Sequence, residues 1–125
     1  SVKPGSQEDL VVNVGDRVFF HFDKFNIRAD ARKTLEKQAA WMKTNPSVTV
    51  TLEGHADERG TREYNLALGE RRANSVKDYL AALGVNPARM KTISYGKERP
   101  VASGSNEAAW RQNRRGVTKV TGAGS

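Results

Sequence analysis

An arginine sits in the middle of the apolar stripe of the longest helix this sequence predicts, and that position restricts the fold more than any other. Between Glu63 and Leu83, at about 100° per residue, Leu68, Val76, Tyr79, Leu80 and Leu83 share one face. Arg72 falls near the centre of that face, while its neighbour Arg71 points toward solvent. A guanidinium keeps its proton in proteins, so a helix that buries one needs a carboxylate or several other acceptors beside it. The nearest acids are Glu53, Asp57 and Glu58, at the end of the preceding strand-like run. The helix must therefore fold back onto that strand end.

The elements around it follow from periodicity and punctuation. Val18 to Asp23 (VFFHFD) alternates as a strand, with Val18, Phe20 and Phe22 on one face. Ala31, Leu35, Ala39 and Met42 fall at helical spacing between Ala29 and Lys43, and Asn45-Pro46 ends that helix. Trp41 lies off this stripe, which predicts partial exposure. Val48, Val50 and Leu52 alternate with Thr49, Thr51 and Glu53 in a second strand. Gly84 caps the long helix, and Asn86-Pro87 opens a short helical turn. Lys91 to Tyr95 is a third strand, Ser105-Asn106 starts a helix through about Arg114, and Val117 to Val120 is the last strand. This order predicts an α/β two-layer sandwich: one mixed sheet of about four strands with helices packed on it. Residues 1–15 are expected as a loose lead-in, 16–120 as the domain and 121–125 as a flexible tail.

The chemistry concentrates in residues 53–63, EGHADERGTRE. Strand alternation sends Leu52, Gly54 and Ala56 one way and Glu53, His55 and Asp57 the other. Gly54 and Gly60 suit a tight strand-to-helix connection where backbone approaches a neighbour closely. Asp57 at the strand end and Arg72 on the helix can then flank a pocket. A carboxylate beside a guanidinium suits a zwitterion, since one takes an ammonium and the other a carboxylate in bidentate geometry. The same spacing also fits a structural ion pair in which Asp57 and Arg72 satisfy only each other, as in a pure protein-interaction module.

Other chemistries fit less well. His55, Asp57 and Glu58 alternate in direction and do not converge as metal ligands, and the only other histidine is His21, so no metal or cofactor is expected. No nucleophile elbow or phosphate loop accompanies the acids, so no catalytic residue is expected. His55 reads as a hydrogen-bonded structural histidine. A net charge of +7, from 21 basic and 14 acidic residues, favours anionic partners. The run Asn106 to Arg115 (NEAAWRQNRR) lacks the interleaved aromatics of single-strand binders, so it reads as a helix that packs Trp110 inward and solvates its arginines, not as a nucleic-acid surface. There is no cysteine, and no apolar run approaches the roughly 20 residues of a membrane span. With Ser at position 1 and no signal segment, the chain is expected to be a mature or trimmed fragment.

From Gly54 to Val85 the sequence, GHADERGTREYNLALGERRANSVKDYLAALGV, resembles the OmpA-like peptidoglycan-binding domain. VFFHFDKFNI upstream, TISYGKERP at 92–100 and NEAAWRQNRR extend the likeness to about residues 16–120. The resemblance implies noncovalent binding of peptidoglycan through the meso-diaminopimelate of its stem peptide. Asp57 would take the ammonium and Arg72 the carboxylate, with Phe22 and Asp23 as pocket wall and Arg59 and Leu68 as further contacts. Asn65 and Arg115 match positions of a more structural kind. Glycine at 69 replaces a serine common in the family, with no functional consequence expected. Lipoprotein members of the family also imply an N-terminal lipid anchor in the outer membrane, absent from this chain, and a domain in the periplasm. They further imply TolB and the other Tol components as partners, and a role in cell division.

Overall fold

The computed structural model describes residues 1–122. Four strands, β1 (Arg17–Phe19), β2 (Thr49–His55), β3 (Met90–Gly96) and β4 (Arg115–Gly122), form one sheet in the order β1-β4-β2-β3. β2 and β3 run parallel, joined through α3 (Arg62–Ala82), and β4 pairs antiparallel with both β1 and β2. With α2 (Ala29–Thr44) beside α3, this is the two-layer α/β sandwich with a mixed sheet that the element order predicts. Leu35, Ala39 and Met42 of α2, Val76 and Leu80 of α3, and Val50 and Leu52 of β2 form one core between the layers. Thr61 caps α3 by accepting the Tyr64 N–H at 3.1 Å, and Gly84 follows the helix at φ 102°.

Helix and sheet touch through glycine. A Cβ on Gly54 would stand 1.7 Å from the Gly69 carbonyl oxygen, and one on Gly69 would stand 2.2 Å from Ser94 Oγ. Gly69 is thus a packing requirement of this chain, since its Cβ would also stand 2.8 Å from the Gly54 carbonyl oxygen.

Four expectations are corrected. Residues 7–13, placed in a loose lead-in, form helix α1 (Gln7–Asn13), whose Leu10 is fully buried in the core. Ser6 caps it, and the Gln7 side chain bonds β4 at both Thr118 O (3.1 Å) and Val120 N (2.6 Å). Trp41, expected to be partly exposed, is buried with its indole N–H on Asp9 Oδ2 at 2.8 Å. The first strand stops at Phe19, because its partner β4 begins at Arg115; Asp23 then turns the chain at φ 57°. At the other end β4 runs through residues 121 and 122, with Gly122 opposite Thr49, and the rest of the expected tail lies outside the described residues.

Candidate functional site

Arg72 has no exposed surface, and its acceptors are carbonyls instead of a carboxylate. Nε donates to Lys24 O at 2.8 Å, Nη1 to His55 O at 2.8 Å and Nη2 to His21 O at 3.1 Å. The guanidinium thus ties α3 to the end of β2 and to the loop after β1, which carries Phe22 and Asp23. Burial lowers its pKa to about 10, opposed by the charge of Asp57, so it stays protonated at neutral pH. Two of the five guanidinium N–H groups remain beyond these three bonds. Arg71, as expected, is exposed.

Asp57 is almost fully buried and has two cationic partners. Its Oδ1 accepts from the Arg59 backbone N–H at 3.0 Å and from Arg59 Nε at 3.2 Å. Oδ2 accepts from Arg59 Nη2 at 2.8 Å and from Arg114 Nη1 at 3.4 Å. Burial by itself would raise the Asp57 pKa, but the bonds from Arg59 and Arg114 outweigh it and hold the carboxyl below its usual range. Arg59 in turn lies between two aromatic faces, its Cζ 3.9 Å from the ring centre of Phe22 and 3.9 Å from that of Trp110. Trp110 is fixed by its indole N–H on Glu58 Oε2 at 2.9 Å. The loop between β2 and α3 is pinned by Asn65 Nδ2 on Arg59 O at 2.9 Å and by Lys97 Nζ on Gly60 O at 2.6 Å.

These groups surround a cavity of about 210 Å³. All six residues singled out from the sequence line it: Phe22, Asp23, Asp57, Arg59, Leu68 and Arg72. Tyr64, whose hydroxyl donates to Asp23, lines it too, as do Ala56, Gly60 and Asn65. Asp57 and Arg72 do not satisfy each other: each has its own partners, and the cavity lies against both. The structural pair that spacing left open is therefore absent.

The helix expected after Ser105-Asn106 is α4 (Glu107–Asn113), but sequence reasoning missed the role of Arg114 at its C-terminal end. Arg114 and Arg115 are buried instead of solvated. Arg114 donates to Phe20 O at 2.8 Å, to Glu107 Oε2 at 2.7 Å and to Asp57. It sits 57 residues from Asp57, so no local spacing exposes the partnership. Trp110 is half-buried against Arg59, a cation–π contact that periodicity does not encode. His55 is structural as read, bonded through Nε2 to Glu53 Oε1 at 2.9 Å.

A mixed four-stranded sheet with helices on one face and a charged cavity at the strand end is the architecture of an OmpA-like domain. The chain belongs to the OmpA family, whose sequence model matches residues 19–114. Its relatives there include peptidoglycan-associated lipoproteins. The one from Agrobacterium fabrum is 60% identical over 124 residues, covering 99% of this chain and 70% of the relative. That of Rhizobium meliloti is 61% identical over 122 residues, covering 98% and 69%. Among solved structures, the peptidoglycan-associated lipoprotein of Burkholderia pseudomallei superposes with a TM-score of 0.82 at 42% identity, covering 85% of this chain and 90% of that one. The C-terminal domain of Helicobacter pylori MotB, at 24% identity and a TM-score of 0.73 over 83% of this chain and 84% of its own, shares the fold.

Proposed function

We propose that this domain binds peptidoglycan noncovalently by gripping the meso-diaminopimelate of the stem peptide, and so tethers the outer membrane to the cell wall. The observation that carries the reading is one cavity lying against both a buried carboxylate and a buried guanidinium that are not bonded to each other. Diaminopimelate presents an ammonium and a carboxylate on one carbon. Its ammonium suits Asp57, sharing or displacing Arg59 there, and its carboxylate suits the remaining N–H groups of Arg72. Phe22 and Leu68 give the aliphatic chain an apolar wall, and Asp23 and Tyr64 close the rim. The names of the relatives agree with wall association and with a lipid anchor, and they name no enzyme.

The domain works on the periplasmic face of a Gram-negative outer membrane, held in the full-length protein by an N-terminal lipid. It acts within the Tol–Pal system with TolB as a protein partner, during cell division. Co-sedimentation with purified sacculi tests the core of the proposal. The parent should pellet with sacculi, and Asp57→Asn should stay in the supernatant with an unchanged circular-dichroism spectrum. Equal pelleting of the two proteins would remove Asp57 from the site.

A further inference from the structure

The face of the sheet turned away from α2 and α3 carries a second charged concavity, of about 210 Å³. Arg17, Arg115 and Lys119 project onto it from β1 and β4, with Glu53 and His55 from β2. The register sets Arg17, Val117 and Glu53 side by side across three strands. Arg99 covers one end, its Cζ 3.7 Å above the Tyr95 ring, on a loop held by Asn113, whose Oδ1 accepts from Val101 N at 2.8 Å and from Ala102 N at 3.0 Å.

Charge on this face is unbalanced. Arg17 is matched by Asp16 at 2.9 Å, and Glu53 is engaged by His55. Arg115 is 5% exposed, yet no carboxylate lies within ion-pair distance of it among the described residues. Among the described residues its Nη1 and Nη2 reach only the carbonyls of Asn113 (3.3 Å) and Arg99 (3.0 Å), and its Nε has no partner. Burial, and then the neighbouring Arg17, push its pKa down to about 10. A structural arginine is ordinarily satisfied where it is buried. With Asp16 and Glu53 set against Arg17, Arg99, Arg115 and Lys119, two positive charges stay uncompensated, which suits a phosphate group, monoester or diester, whose oxygens accept from several converging donors at once.

We propose that this open sheet face is a phosphate-binding site, distinct from the cavity at Asp57, built from Arg17, Arg99, Arg115 and Lys119. The phosphate group comes either free, as inorganic phosphate or a monoester, or as the headgroup of an anionic lipid. Neither source uses the diaminopimelate cavity.

The test is a titration of the nitrogen-15-labelled domain with inorganic phosphate at fixed ionic strength, set against chloride. A parallel arm measures co-sedimentation with phosphatidylcholine vesicles, with and without phosphatidylglycerol. Saturable shifts should appear at the Arg115 Nε–H and the Lys119 amide with phosphate only. The double substitution Arg99→Gln and Lys119→Gln, at exposed positions, should weaken binding about tenfold, whereas Lys33→Gln on α2 should not. Vesicle binding that falls in the double variant but not in Lys33→Gln assigns the headgroup as the source; phosphate saturation without it assigns a free phosphate group. Sacculus sedimentation should be unchanged in the double variant. The site is overturned if neither arm shows saturable, variant-sensitive binding, if chloride reproduces the shifts (nonspecific screening only), or if the double variant loses sacculi as well.

Discussion

At the scale of single residues, the two charges of the cavity differ in what their removal does. Asp57 keeps ion pairs with Arg59 and Arg114, and an amide in its place retains the volume. Arg72 instead satisfies three backbone carbonyls from two segments. Arg72→Ala should therefore cost about 3 kcal/mol or more of stability as well as sacculus binding, visible as a lower midpoint in urea unfolding. Arg72→Lys should not restore binding, because one ammonium cannot reproduce the planar fork. Arg71→Ala, on the exposed side of α3, should alter neither. A depressed Asp57 carboxyl and a guanidinium near 10 also set the pH response. Both stay charged from about pH 8 to pH 5, so sedimentation should be flat across that window and fall only as Asp57 takes up a proton below it. Periodicity legibly set Arg72 on the buried face, since 3.6-residue spacing is local. That two of its three acceptors would be carbonyls of a distant loop was not legible, because that loop arrives only through tertiary folding.

At the scale of elements, the contact of β2 with α3 is the constraint that positions the site. The Gly54 and Gly69 backbones meet where no Cβ fits, and the obstructing atom at Gly54 is backbone that cannot rotate aside. Gly54→Ala should cost about 3 kcal/mol or more, read as loss of cooperative thermal unfolding, and should abolish sacculus binding through the fold. The long elements were legible because their apolar periods persist for many residues: β2, α3 and β3 lie within a residue or two of their sequence limits. Short α1 was not, since a single Leu10 carries its buried face and its other anchors reach Trp41 and β4. Leu10→Ala should accordingly destabilise the domain by roughly 2–5 kcal/mol, measured by the same urea midpoint, where a disordered lead-in would show no change.

At the scale of the whole molecule, one face of the sheet is covered by helices and the other carries buried polar groups, with His55 among them. Burial first, opposed by Glu53 and reinforced by Arg115, lowers the His55 pKa. The folded protein therefore binds this proton less readily than the unfolded chain. The stability from neutral His55 is complete above the ordinary value of 6.5 and is lost as pH falls from there through the lowered folded value. Urea midpoints should drop as pH is lowered below about 6.5, and His55→Gln should flatten that part of the slope. The central claim is tested most directly by calorimetry with two stem peptides that differ only at the third residue, meso-diaminopimelate in one and lysine in the other. Lysine keeps the ammonium for Asp57 and lacks the carboxylate for Arg72. Saturable heat with the diaminopimelate peptide, weakened at least about tenfold with lysine, is the predicted result. Equal affinity for the two peptides, or no heat with either, would contradict a grip that uses both charges.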